Sequence, residues 1–131
     1  MMTPVNRVVM PSSIAPPAAN YAHAVLSEAP ARLMHTAGVV PVAPDGSVPD
    51  GIGPQAEVVW ANITAILAEA GMAVTDIVSM TTYVVAGNEL APVMAARDRA
   101  LGGHVAASTL VTVPALVRPE WLVEVAVVAA R

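Results

Sequence analysis

No cysteine, lysine or phenylalanine occurs among the 131 residues, and each absence removes a class of function. Without cysteine there is no thiolate nucleophile, no thiolate metal centre and no disulfide. Without lysine there is no Schiff-base chemistry on the protein and no phosphate-loop lysine, and all six basic residues are arginine. Aromatics are scarce, at two Trp and two Tyr, and the net charge is −4. The chain therefore has neither the basic footprint nor the stacking surface that nucleic acids require, and none is expected as a partner. His23, His35 and His104 stand apart, with no ligand spacing among them, so no metal is expected.

Charge is low as well. Only 12% of residues are charged and 56% are hydrophobic, against roughly a quarter charged in ordinary soluble domains. A small monomer cannot hide that much apolar surface, so part of it is expected to be buried between copies of the chain. Insertion in a membrane is not expected. The uncharged run from Ala100 to Val117 is interrupted by Gly102, Gly103, His104 and Pro114, and spanning a bilayer takes about 20 continuous apolar residues. The segment Met1 to Arg7 lacks the charged-then-apolar pattern of a signal peptide, which points to a cytoplasmic protein of one domain over residues 1–131.

Against that background one residue stands out. Glu124 lies in Leu122-Val123-Glu124-Val125-Ala126-Val127-Val128, a run that reads as a strand buried on both faces. Its neighbours of the same pleat parity are Leu122, Ala126 and Val128, which offer it no partner. An ionised carboxylate there costs several kcal/mol, on the order of a lost buried charge pair, unless it is paired, hydrogen-bonded or protonated. Either backbone amides hold it, or the strand lines a cavity in which the acid is exposed to a ligand.

The rest of the chain reads as an α+β domain. A proline-bearing leader covers residues 1 to 20 with a short strand at Asn6 to Met10. Strands follow over Tyr21 to Ser27 and Leu33 to Val42, with Glu28-Ala29-Pro30-Ala31 as a hairpin turn between them. Pro54 suits the first turn of a helix in which Val59, Ile63, Ile66, Leu67 and Ala70 recur at helical spacing, ended by Gly71. Val74 to Val85 is β-rich. Asn88 is the expected N-cap of a second helix, whose face carries Leu90, Val93, Met94, Arg97 and Leu101 and which stops at Gly102-Gly103. Ala107 to Val113 and Trp121 to Ala130 close the chain as strands. The order β-β-β-α-β-α-β-β predicts a mixed six-stranded sheet with both helices on one face.

Four segments together resemble the reactive intermediate deaminase family, also called Rid or YjgF. They are Tyr21-Ala22-His23-Ala24-Val25; His35-Thr36-Ala37-Gly38-Val39-Val40-Pro41-Val42; Gln55 through Asn62-Ile63 to Leu67-Ala68-Glu69-Ala70-Gly71; and Asp76-Ile77-Val78 entering a strand. The strand around Glu124 completes the resemblance, which covers nearly the whole chain. It implies a homotrimer with the sheets facing inward and small-molecule pockets between subunits. It further implies cofactor-free hydrolysis of enamines or imines to a keto compound and ammonia. By position, Tyr21 matches the pocket tyrosine, Gly38 the glycine of a Ser-Gly pair, and Glu124 the pocket glutamate.

The departures bear on specificity. Ala37 stands where the pair's serine belongs, with the Thr36 hydroxyl beside it, and Met94 stands where the second helix usually presents an asparagine. The carboxylate-binding arginine aligns with Ser108, in Ala107-Ser108-Thr109-Leu110, and its cysteine neighbour with Leu110. Ser108 and Thr109 offer hydroxyls and backbone amides, but no bidentate clamp for a carboxylate. Two candidates for a replacement cation are Arg118 and Arg131 of an adjoining chain. Three functions stay open at this point: a deaminase-like hydrolase of altered specificity, a non-catalytic ligand-binding trimer, and an endoribonuclease, a label some family members carry.

Overall fold

A computed structural model describes residues 5–131; the start of the proline-bearing leader, Pro4 included, lies outside them. The strands are β1 (Asn6–Val9), β2 (Ala24–Ser27), β3 (Leu33–His35), β4 (Ile77–Val85), β5 (Ala107–Val113) and β6 (Val123–Ala130). Helix α1 (Ile52–Glu69) precedes β4, and α2 (Ala91–Leu101) lies between β4 and β5. No helix among the described residues is long and apolar enough to cross a membrane.

The six strands form two hydrogen-bonded sets. β1 pairs with β2 antiparallel, and the larger sheet runs in the order β3-β6-β4-β5. β4 and β5 are parallel, with α2 as the crossover, while β6 is antiparallel to both its neighbours. An isolated parallel bridge between Ala22 and Ala107 joins the chain entering β2 to the β5 edge. The expected hairpin at residues 28–31 is absent as such, because β2 takes β1 as its partner and β3 takes β6. Ala29 turns the chain there with φ 47.

In α1, Ile52, Ala56, Val59, Trp60, Ile63 and Leu67 recur every three or four residues and are buried. Ile66 falls off that stripe and is 40% exposed. Gly71 ends the helix with φ 70, a conformation open to glycine at no steric cost. Asn88 does not cap α2. The helix begins at Ala91 behind Leu90, with Pro92 in its first turn. The Asn88 side chain instead donates back to the Val85 carbonyl at 2.9 Å and closes the turn after β4.

The sheet has one covered face. Val123, Val125, Val127 and Ala129 of β6 are at most 2% exposed and join Val59, Ile63 and Leu67 of α1 in the core. Alternation puts Glu124, Ala126 and Val128 on the opposite face, where they are half-buried. The expectation of a strand covered on both faces therefore fails within one chain. The helices cover one side, and the apolar residues of the other side remain open.

Candidate functional site

Cross-strand register sets what surrounds Glu124. Glu124 stands opposite Tyr83 of β4, which stands beside Val111 of β5. The next row is Ala126, Thr81 and Thr109, and the one after it is His35, Val128, Ser79 and Ala107. These rows share the uncovered face, because residues in register on adjacent strands point to the same side.

Beside β6 the chain from Gly38 to Val42 continues the line of β3. Val39 and Val125 exchange both backbone hydrogen bonds, at 2.7 and 3.1 Å, which fixes Gly38 against the Glu124 side chain. The fit is close. A Cβ on residue 38 would collide with the Glu124 carboxylate oxygen Oε2 and lie 2.6 Å from Cδ and 3.0 Å from Cγ. The missing Cβ leaves this space to the Glu124 carboxyl group, which any larger residue at position 38 would displace.

Helix α1 holds both walls of the site. The Asn62 amide donates to the Val42 carbonyl at 2.9 Å, tying down the segment that carries Gly38. Gln55, two turns earlier, is 2% exposed. It donates to the carbonyls of Pro49 at 3.0 Å and Glu120 at 2.8 Å, and accepts from the Leu122 amide at 2.8 Å. The start of β6, and with it Glu124, is thus fastened to the helix layer.

The result is an open cleft of about 500 Å³ lined by Gly38, Tyr83, Ala115, Leu116, Val117, Glu124 and Ala126. Its polar side chains are the Glu124 carboxylate and the Tyr83 phenol, and the remaining lining is apolar. Gly38 also borders a second cavity of about 580 Å³, walled by His35, Thr36, Ala37, Val39, Asn62 and Ile66 among others.

No cation of the described residues is paired with Glu124. The ion pairs are Arg97 with Asp98, Arg99 with Glu57, and Arg131 with Asp76. Arg32 donates to the Ala70 carbonyl. Arg118 lies over the Trp121 ring, its guanidinium carbon 5.8 Å from the centroid, and lines a separate cavity with Val42, Val48 and Glu120. Within one chain, neither Arg118 nor Arg131 stands in for the missing clamp.

Of the residues expected at the site, Glu124 and Gly38 come together, and Thr36 and Ala37 border the adjoining cavity. The Thr36 hydroxyl is occupied by backbone: it donates to the Ala37 carbonyl at 2.7 Å and accepts from the Val127 amide at 3.0 Å. Ser108 and Leu110 are in register with Met80 and Thr82 on the helix side of the sheet, and Leu110 packs against the core. Of the expected β5 residues, Thr109 lies on the Glu124 face, with Ala107 and Val111, and Ser108 and Leu110 lie on the other. Met94 lies in the helix layer and lines neither cavity. Tyr21 is also remote within the chain. Its hydroxyl accepts from the Ala18 amide at 3.3 Å, its ring meets His23 edge-on, and the bridge beside it leads to β5. Sequence reasoning missed Tyr83. The available signal was its parity: an aromatic that alternates with Ser79 and Thr81, the more polar side of a long β-rich run.

Known proteins share this fold. The family description Endoribonuclease L-PSP matches residues 12–131. TdcF of Escherichia coli K12, named provisionally as a reactive intermediate deaminase, is 34% identical over 62 residues. That match spans 47% of this chain and 48% of TdcF, about half of each. The crystal structure of YyfB from Yersinia pestis, a Rid-family protein of unknown function, superposes with a TM-score of 0.88 at 31% identity. It covers 97% of this chain and 99% of YyfB. TdcF crystallised with bound serine shares the fold at a TM-score of 0.71 and 22% identity, over 95% of this chain and 98% of its own. With nearly its whole length matched and its fold common to these proteins, the chain belongs to the Endoribonuclease L-PSP family, the Rid or YjgF group.

Proposed function

We propose that the protein is a hydrolase of deaminase type, acting on a small enamine, imine or related carbonyl compound with a specificity altered from that for 2-imino acids. The observation that carries this reading is the Glu124 carboxylate, unpaired among the described residues and seated on Gly38 in an open cleft of about 500 Å³. Membership of the family and the name carried by TdcF support the reaction class.

In the reaction, Glu124 takes a proton from water as the oxygen adds to the C=N carbon and passes it to the nitrogen, which gives a carbinolamine. Glu124 then relays the hydroxyl proton to the same nitrogen, the C–N bond breaks to release ammonia, and a C=O group remains. One imine and one water give one carbonyl compound and one ammonia. No redox change occurs and no cofactor takes part. The largely apolar lining limits the water that can reach the reacting carbon.

The uncovered sheet face, on which Ala107, Val111, Ala126 and Val128 lie open beside Glu124 and Tyr83, supports a homotrimer in which the sheets face inward and a neighbouring copy closes each cleft. In that assembly Tyr21, which does not line the Glu124 cleft of its own chain, belongs to the closing surface, with Thr109 near the β5 edge. A second reading, a non-catalytic ligand-binding trimer, draws on the mostly apolar lining and on the absence of a cation from it. RNA cleavage is not proposed, because the chain carries −4 net charge and no lysine.

Ammonia release from a panel of freshly generated imines, with and without a carboxylate, tests the proposal. Turnover of at least one member is expected, and Glu124→Gln is expected to lower it about 10²- to 10⁴-fold, the usual worth of a positioned acid–base group. Rates equal in the wild type and the variant would leave the binding reading in its place.

A further inference from the structure

The loop over residues 114–120 borders two cavities. Ala115, Leu116 and Val117 line the Glu124 cleft. Arg118, Glu120 and Trp121 line another cavity, of about 400 Å³, with Val42, Gly46 and Val48. The two linings have no residue in common.

Its size is that of a small-ligand site, and both its walls are tied down. Gln55 holds them together, donating to the Pro49 carbonyl at 3.0 Å and the Glu120 carbonyl at 2.8 Å. On one side, the Ser47 amide and hydroxyl lie 2.9 and 2.6 Å from Asp45 Oδ1, and the Ala43 amide donates to the Ser47 carbonyl at 2.8 Å. On the other, the Trp121 amide donates to the Arg118 carbonyl at 3.1 Å. A cavity framed in this way costs a ligand little ordering of the chain.

Arg118 carries the chemistry. Its guanidinium carbon lies 5.8 Å from the Trp121 ring centroid, and it joins none of the ion pairs of the described residues. Contact with an aromatic face leaves guanidinium N–H groups unspent, and those donors grip a carboxylate in two parallel bonds. The indole adds a further donor: Trp121 Nε1 is buried and has no acceptor among the described residues, a state that calls for a partner. Val42 and Val48 offer apolar surface to a hydrocarbon body. Glu120 is the one carboxylate of the lining; it is exposed, so water and salt screen its repulsion of an anion.

We propose that this cavity is a ligand site separate from the Glu124 cleft, that it takes a small organic anion with a carboxylate on a flat apolar body, and that Arg118 binds the carboxylate. The inference stands on its own observations and does not rest on the hydrolytic reading.

Benzoate and benzamide, alike in shape and different in charge, are the probes. The chain has two tryptophans, so a proton–nitrogen correlation spectrum of the intact protein carries two indole resonances, and Trp121→Phe assigns them. Trp60, the other, is 2% exposed in the core. Benzoate is expected to move the Trp121 resonance saturably and to leave that of Trp60 in place, with benzamide about 10-fold weaker. Arg118→Gln is expected to weaken benzoate about 10-fold, the lower end of the worth of a charged hydrogen bond because the guanidinium is exposed, and to keep the melting temperature within a few degrees. Glu124→Gln is expected to leave benzoate binding unchanged. A Trp121 resonance that does not move, equal affinity for the two probes, or wild-type benzoate binding by Arg118→Gln overturns the proposal. So does a loss in Glu124→Gln as large as that in Arg118→Gln, which would place the anion in the cleft. None of these readings involves imine turnover, so failure of the hydrolytic reading is a separate result.

Discussion

Gly38→Ala is expected to lower imine turnover about 100-fold while leaving the protein folded. The new methyl group would occupy the position of the Glu124 carboxyl group, with Cδ only 2.6 Å away, so the carboxylate has to swing off its seat. That group is the free end of a flexible side chain, so a rotamer change accommodates the methyl without moving the backbone. The expected loss of stability is at most about 1 kcal/mol. Catalysis is less tolerant, since a displacement of about 1 Å from a productive geometry costs on the order of 100-fold. The assay is ammonia release beside a thermal melt of the same sample. A double variant with Glu124→Gln refines it. If Gly38 acts through the carboxylate, the two losses do not add, and Gly38→Ala/Glu124→Gln is no slower than Glu124→Gln alone. Full turnover in Gly38→Ala would show that the position of the carboxylate is immaterial.

Gln55→Leu is expected to be the most destabilising single change among the polar residues, at about 3 kcal/mol. Leucine keeps the volume and the helix propensity, so the effect isolates hydrogen bonding. It leaves the Glu120 and Pro49 carbonyls and the Leu122 amide without the partner they now have at 2.8 to 3.0 Å. Each buried polar group so abandoned costs about 1–3 kcal/mol, and those nearest the surface recover part of it from water. For a chain of this length that corresponds to a fall in melting temperature of roughly 10 °C. Urea denaturation gives the same quantity at 25 °C. A change below about 0.5 kcal/mol would mean that Gln55 does not fasten the start of β6 to α1. In the surviving folded fraction, turnover is also expected to fall, because residues 120–122 carry the approach to Glu124.

The reason the sequence announced the fold so clearly is that its core is periodic. The stripe Val59, Ile63 and Leu67 and the alternation of β6 both follow from which face is covered, and both are visible as patterns of apolar residues. What escaped were the features that depend on partners distant in the chain. The run around Glu124 looked like a strand buried twice over, because an apolar residue shows that it is to be covered and not by what. The turn at 28–31 resembled a hairpin, although the backbone of β2 pairs with β1. Asn88 resembled a helix cap and in fact closes a turn onto Val85.

At the site the same limit holds. Glu124 was legible because a charge in an apolar strand is anomalous on its own. Gly38 was legible through the family pattern, whereas its physical role, a carboxyl group resting on its Cα, is a long-range contact. Tyr83 was passed over because its place beside Glu124 comes from register across two strands, although its parity was visible. That Ser108 and Leu110 face the helix layer while Thr109 faces Glu124 follows from strand pleating and cross-strand register, which the sequence does not display.

A crystal structure of the assembled protein bears most directly on whether a lone carboxyl group seated on glycine faces a reaction cleft. The expected result is a Glu124 carboxylate that stays against Gly38 and open to a solvent-filled cleft, bounded by residues 115–117 and a neighbouring copy. An assembly in which Glu124 is sealed from solvent and held by backbone amides would contradict the account.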